Sequence, residues 1–318
     1  MKHSIIMAFM GGQKDRFCTY FPHAEPEEKM ANIHQVEGID GVEIVYPFEI
    51  QNPTETAKQL SKYGLGVAAV NANIKAGPEQ QAGSSSVPQK HIRDDAIRIL
   101  KEAMDVAAEL GADKVTTCPL TDGYDYLMTT NYQEAWLNMV DTFRQAASHR
   151  SDVKLFLEYK NQETRAHCYL DNCAKTICMI RDIGLKNLGV TLDIGHSLMA
   201  GETPGEAITL CHNSGIEYYI HTNDNNGRWD WDLIPATRNL WDYLEAFVYL
   251  KRYNYDGWLT SDMSPIRLDR VDAFDQNLKA TQKIIEIVDS MNLDELFGMM
   301  QRCETVEILQ FLRDHTLK

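Results

Sequence analysis

Short apolar runs alternate along the chain with longer stretches whose apolar residues recur every three to four positions. These two periodicities separate buried strands from amphipathic helices. Ser4 to Phe9 is the first run, stopped at Gly11-Gly12, and Glu28 to Val36 follows with helical spacing. Gly41 to Tyr46, stopped by Pro47, predicts a second strand, and Pro53 to Tyr63 a helix opened by a proline whose fixed φ suits the first turn. Leu65 to Val70 and Val115 to Pro119 predict strands three and four, separated by a helix over Lys90 to Leu110. Asn131 to Ser148 carries an apolar stripe of Ala135, Met139, Val140, Phe143 and Ala147. Strands follow at Val153 to Leu157, Leu188 to Leu192, Tyr218 to Ile220 and Trp258 to Thr260. Between them lie helical stretches at Asn172 to Ile183, closed by Gly184, from Glu206 to Cys211, and at Trp241 to Arg252.

Strand–helix alternation implies right-handed crossovers and a parallel sheet, and eight such units close into a (β/α)8 TIM barrel of the α/β class. An open doubly wound sheet is the alternative, but no G-x-G-x-x-G or G-x-x-x-x-G-K-[ST] follows any strand. We expect residues 1–275 to form the barrel and 276–318 a helical extension. Met299, Met300, Ile308, Leu309, Phe311 and Leu312 give that tail apolar surface for the barrel or a second subunit, so a homo-oligomer is expected. Ala76 to Gln89, rich in Gly, Pro and Ser, reads as a flexible loop over the barrel mouth.

Composition narrows the partners. With 31 basic and 46 acidic residues the net charge is −15, which repels nucleic acid phosphates and anionic membranes. No apolar stretch reaches the roughly 18 residues of a membrane span, and the apolar run at the start is too short for a signal peptide, so a cytoplasmic protein is expected. The seven cysteines form no C-x-x-C pair and read as reduced thiols.

The chemistry concentrates between Lys154 and Pro265, where strands five to eight each end in ionisable residues: Glu158, Asp193, His221 and Asp262. Residues at the ends of barrel strands point into one mouth. Three carboxylates and an imidazole without a thiolate suit Mn²⁺, Mg²⁺ or Co²⁺. Beside them, His196 follows Asp193 by three residues, and Asp230-Trp231-Asp232 presents two carboxylates that can turn inward. With Asp193 bridging, these would hold a second cation. Two carboxylates about 4 Å apart repel by about 4 kcal/mol at an effective dielectric near 20. Five together (Glu158, Asp193, Asp230, Asp232, Asp262) therefore call for cations, and two divalent ions with Lys160 balance them formally.

Each group also has a plainer reading. A strand-end Asp is commonly a helix cap, a lone His a hydrogen-bonded structural residue, and the Asp230/Asp232 pair a set of solvated loop charges. Asn71 and Asn73 end strand three where a ligand could reach, and Asn223 is a further candidate. Trp231 can wall a sugar pocket or anchor its loop.

The pattern resembles the xylose isomerase-like superfamily of TIM barrels, closest to the metal-dependent aldose–ketose isomerases of the L-rhamnose and xylose isomerase type. Glu158-Tyr159-Lys160-Asn161-Gln162-Glu163-Thr164-Arg165 is similar to their strand-five signature, a metal-binding Glu two residues before a catalytic Lys. Asp193-Ile194-Gly195-His196 resembles the bridging acid and His, and His221 to Asp232 resembles the segment carrying a ligand and an Asp-x-Asp pair. The resemblance implies a 1,2-hydride shift on an open-chain sugar, with Lys160 donating to the carbonyl oxygen. Glu158, Asp193, His221 and Asp262 would hold one Mn²⁺, Mg²⁺ or Co²⁺. Asp193, His196, Asp230 and Asp232 would hold another, which assists removal of the hydroxyl proton. The ring-opening His of the xylose enzymes has no counterpart, and Glu43 is the nearest early ionisable group.

Three other readings stand beside it. A ketose 3-epimerase of the tagatose/psicose type would use Glu158 and Asp262 as acid and base, although that family has Glu at the last position. An endonuclease IV-like enzyme would need a basic face and more metal-binding His than this acidic chain offers. A non-catalytic sugar-binding barrel is the third.

Overall fold

The computed structural model describes residues 1–163 and 166–317. Thr164 and Arg165 of the strand-five signature, and Lys318, lie outside the described residues. Eight parallel strands are β1 (Lys2–Ile6), β2 (Gly41–Tyr46), β3 (Gly66–Ala72), β4 (Lys114–Thr117), β5 (Lys154–Glu158), β6 (Leu188–Asp193), β7 (Glu217–Thr222) and β8 (Trp258–Ser261). Each pairs with its neighbours in chain order and β8 pairs with β1, closing the barrel. The helices are α1 (Pro26–Ile33), α2 (Pro53–Tyr63), α3 (Lys90–Glu109), α4 (Tyr132–Ala147), α5 (Cys173–Ile183), α6 (Ile194–Met199), α7 (Pro204–Asn213) and α8 (Leu240–Arg252). Then come α9 (Arg270–Asp289), α10 (Leu293–Gln301) and α11 (Thr305–Thr316). Helix α9 runs unbroken across residue 275 and packs on α8.

Local signals fix the element ends. The side chains of Asn52, Asn131 and Asn172 each accept from the third residue of their helix, and α2 and α5 stop at Gly64 and Gly184 in the left-handed conformation. The first strand lies earlier than Ser4 to Phe9 suggests, because the apolar run continues into a buried 3-10 turn at Met7–Met10.

Alternation along the strands sorts the barrel interior into layers. Phe156, Tyr219, Ala68 and Ala69 plug the lower barrel with Trp258 against them, and the rings of Phe156 and Tyr219 meet edge to face at 6.2 Å. Gly189 is required there, since a Cβ would come within 2.4 Å of the Phe156 ring. Two residues on, the same strand faces reach the mouth: Phe156 leads to Glu158, Tyr219 to His221, and Thr260 to Asp262.

The loop expected to be flexible is tied down. The Asp122 carboxylate accepts from the backbone N–H groups of Ser84 (3.1 Å), Ser85 (2.9 Å) and Ser86 (2.6 Å) and from the hydroxyls of Ser84 (3.0 Å) and Ser86 (2.6 Å). In the tail, Met299 is buried, whereas α11 leaves Val306 and Leu309 exposed. Among the described residues, no helix is long and apolar enough to cross a membrane, and the seven cysteines are free thiols.

Candidate metal centre

The four strand-end residues converge. Glu158, Asp193, His221 and Asp262 each present one ligand atom, all within 4.8 Å of one another. The β6–β7 register sets Asp193 directly beside His221. Asp193 is also the cap foreseen in its plainer reading: one oxygen accepts from the His196 backbone N–H (2.8 Å) and starts α6, while the other accepts from Asn223 Nδ2 (2.6 Å). A capped, hydrogen-bonded carboxylate has one orientation, which is what a cation ligand needs.

His221 is held from behind. Its Nε2 lies 3.1 Å from Glu43 Oε2, and Glu43 also accepts from Tyr219 OH (2.8 Å), Asn71 Nδ2 (2.8 Å) and Thr116 Oγ1 (2.9 Å). Glu43 therefore presents His221 Nδ1 to the cluster. That nitrogen is buried without a hydrogen bond, misaligned with Asp262 Oδ2 at 3.2 Å and Glu158 Oε1 at 3.5 Å. An orphaned imidazole nitrogen facing three carboxylates fits a divalent cation of the Mn²⁺, Mg²⁺ or Co²⁺ type.

Protons show the same demand for positive charge. Burial disfavours charge on His221 and His196, yet carboxylates outweigh it and hold both imidazoles protonated well above their usual range: Glu43 and Glu158 for His221, Asp193 and Asp230 for His196. Burial, together with Asp262, Asp230 and Glu158, pushes the Asp193 carboxyl up to about 7 despite His196. A cation would replace these protons.

The second set lies alongside with a different pairing. Lys160 Nζ sits 2.8 Å from Asp230 Oδ2 and is also hydrogen-bonded to Glu163. Burial opposes its charge, but those two carboxylates raise the ammonium above its ordinary range. His196 lies between Asp230 (Nε2 to Oδ2, 3.3 Å) and Glu158 (Nδ1 to Oε1, 3.2 Å). Asp232 has a left-handed φ of 46°, a conformation Asp tolerates better than most residues. It is fixed by the Asp224–Leu233 backbone pair and by Ser264 N–H donating to its carbonyl.

A cavity of about 530 Å³ opens over both sets, walled by Glu158, Lys160, His196, Asp230, Asp232 and Asp262. Asn71 and Asn73 line it. Asn223 does not: it is fully buried behind Asp193. Trp231 also stays off the wall, 46% exposed, with its ring 5.8 Å from the Arg238 guanidinium. Sequence reasoning missed the role of Glu43, whose signal was a carboxylate inside an apolar run. It also missed Lys29, Glu49 and Lys75, which line the same cavity.

A family description of a xylose isomerase-like TIM barrel matches residues 31–284. Xylose isomerase of Thermus thermophilus is 27% identical over 218 residues, 67% of this chain and 56% of that protein. The chain thus spans little more than half the length of the curated relatives it matches. Among solved structures, a D-tagatose 3-epimerase-like protein superposes with a TM-score of 0.72 at 22% identity, covering 91% of this chain and 98% of that one. L-ribulose 3-epimerase superposes with a TM-score of 0.70 at 18% identity, covering 91% and 96%. At such identities the structural likeness speaks for the fold. The family match spans seven of the eight barrel strands and the strand ends that carry the cluster, and the chain belongs to the xylose isomerase-like TIM barrel family.

Proposed function

We propose that the protein is a divalent-metal-dependent aldose–ketose isomerase working by a 1,2-hydride shift. The observation that carries this reading is Lys160, a buried ammonium held charged by Asp230 and Glu163 on the cavity wall that also holds Glu158 and Asp262, two of the four converging residues Glu158, Asp193, His221 and Asp262. A cation held by those four residues would supply Lewis-acid chemistry. Lys160 donates a hydrogen bond to the carbonyl oxygen and stabilises the negative charge that grows there as hydride moves between C1 and C2. Asp232, whose carboxyl is pushed well up by burial and then by Asp230 and Asp262, stands where it can hold the hydroxyl proton. Mn²⁺ is the first metal to try, with Mg²⁺ and Co²⁺ as alternatives.

A second cation held by Asp193, His196, Asp230 and Asp232 belongs to the same proposal. The buried, unpaired Asp230 Oδ1 supports it, while Lys160 and His196 Nε2 both engage Asp230 Oδ2. Exposed Val306 and Leu309 on α11 support self-association. A ketose 3-epimerase remains the second reading, favoured by the convergence of Glu158 and Asp262 in one group. It leaves Lys160 and Asp232 without a task. The test is a panel of aldoses and ketoses with the Mn²⁺-loaded protein, followed by NMR of the products. Aldose–ketose pairs are expected, and products limited to C3 epimers of ketoses would overturn the isomerase reading.

A further inference from the structure

We infer that Lys29 and Glu49 form a charged anchor for the distal hydroxyls of a polyol chain held at its other end by the metal cluster, an inference that rests on the sugar reading above. Lys29 lies on α1 and Glu49 just past β2, and both line the cavity over the cluster. Strand β2 is four strands from β6 in either direction round the closed barrel, so Glu49 stands across the mouth from Asp193. The pair is buried, at 8% and 5% exposure, with Lys29 Nζ 2.6 Å from Glu49 Oε1. Ile6, Ala8, Phe9, Val45 and Phe48 line the same cavity, together with His23.

Counting donors and acceptors shows spare capacity. An ammonium carries three N–H donors, and Lys29 spends one, on Glu49, its partner among the described residues. Each carboxylate oxygen can accept about twice; Glu49 Oε1 takes Lys29 and Oε2 takes the Val45 N–H at 2.9 Å. Donors and acceptors thus remain side by side on a cavity wall, which matches a hydroxyl that both gives and receives. The position is also made room for: a Cβ at Gly11 would come within 2.6 Å of Lys29 Cε and 3.0 Å of Nζ. A buried ion pair is seldom more stabilising than apolar residues of the same volume, so a binding role explains its presence better than fold stability does. Chain length is the property it would read: a three-carbon ligand occupies the cluster end alone, whereas a five-carbon chain spans to the pair.

The test compares wild type with the double variant Lys29→Met/Glu49→Gln, which removes the charges together so that neither is left buried and unpaired. Both proteins, loaded with Mn²⁺, are titrated calorimetrically with xylitol and, separately, with dihydroxyacetone. Xylitol affinity is expected to fall at least tenfold, equivalent to about 1.4 kcal/mol, with dihydroxyacetone affinity unchanged. Xylitol binding within twofold of wild type, or an equal fall for both ligands, would overturn the anchor. A wild type that binds neither ligand would instead overturn the sugar reading, and the anchor with it.

Discussion

Glu43→Gln isolates the support behind the metal centre. Glu43 accepts four hydrogen bonds, two on each oxygen. The glutamine can keep its oxygen toward His221 and Tyr219 and turn its amide nitrogen to Asn71 and Thr116, which accept after an amide flip and a hydroxyl rotation. The shape survives, and what disappears is a full negative charge 3.1 Å from His221 Nε2. Two unit charges at that distance interact by about 5 kcal/mol at an effective dielectric near 20. With a cation on Nδ1, however, the ring is neutral and only polarised, so the effect is smaller. Removing such a partner costs about 10- to 100-fold in metal affinity, or about 1.4–2.7 kcal/mol. Calorimetric titration of the metal-free variant with Mn²⁺ should give a Kd higher by that factor, with the fold intact by circular dichroism. Affinity within twofold of wild type would refute the assignment of Glu43 as the residue that presents His221 to the metal.

Three other outcomes follow from the same geometry. Lys160→Met should lower kcat by about 10²–10³, as loss of one preorganised donor does, while Mn²⁺ affinity at the Glu158 cluster is retained; unchanged turnover would remove Lys160 from the chemistry. Without metal, folded Asp193, titrating near 7, and His196 and His221, titrating well above their usual range, bind more protons than the unfolded chain. The melting temperature of the EDTA-treated protein should therefore fall from pH 5 to pH 8, and Mn²⁺ should restore it. The depressed carboxyls of Glu158 and Asp230 act in the opposite direction only below about pH 4.5, and a melting temperature rising over pH 5 to 8 would contradict the account. Asp122→Ala orphans five donors of the Ser84–Ser86 segment and should destabilise by about 3 kcal/mol, read by denaturant unfolding; a loss under about 1 kcal/mol would refute the tether.

The barrel was legible because both-face burial turns each parallel strand into an apolar run, and because the runs at β5 to β8 end where ionisable side chains must face the mouth. Glu158, Asp193, His221 and Asp262 could therefore be grouped from sequence. What stayed hidden depends on contacts between distant segments. Asp193 and Asn223 are 30 positions apart, Glu43 and His221 are 178 apart, and Asp122 reaches back to the Ser84 loop. Helix α6 escaped notice because six residues following directly on a strand offer too little periodicity. The positions of Asn223 and Trp231 turned on which way a loop faces: one packed under Asp193, the other turned toward Arg238.

The central claim is tested most directly by following one hydrogen. An aldose carrying deuterium at C2, turned over by the Mn²⁺-loaded protein in H₂O, should yield a ketose with the label at C1, because a hydride shift does not exchange with solvent. A ketose with the label lost to water, or no ketose at all, would contradict it.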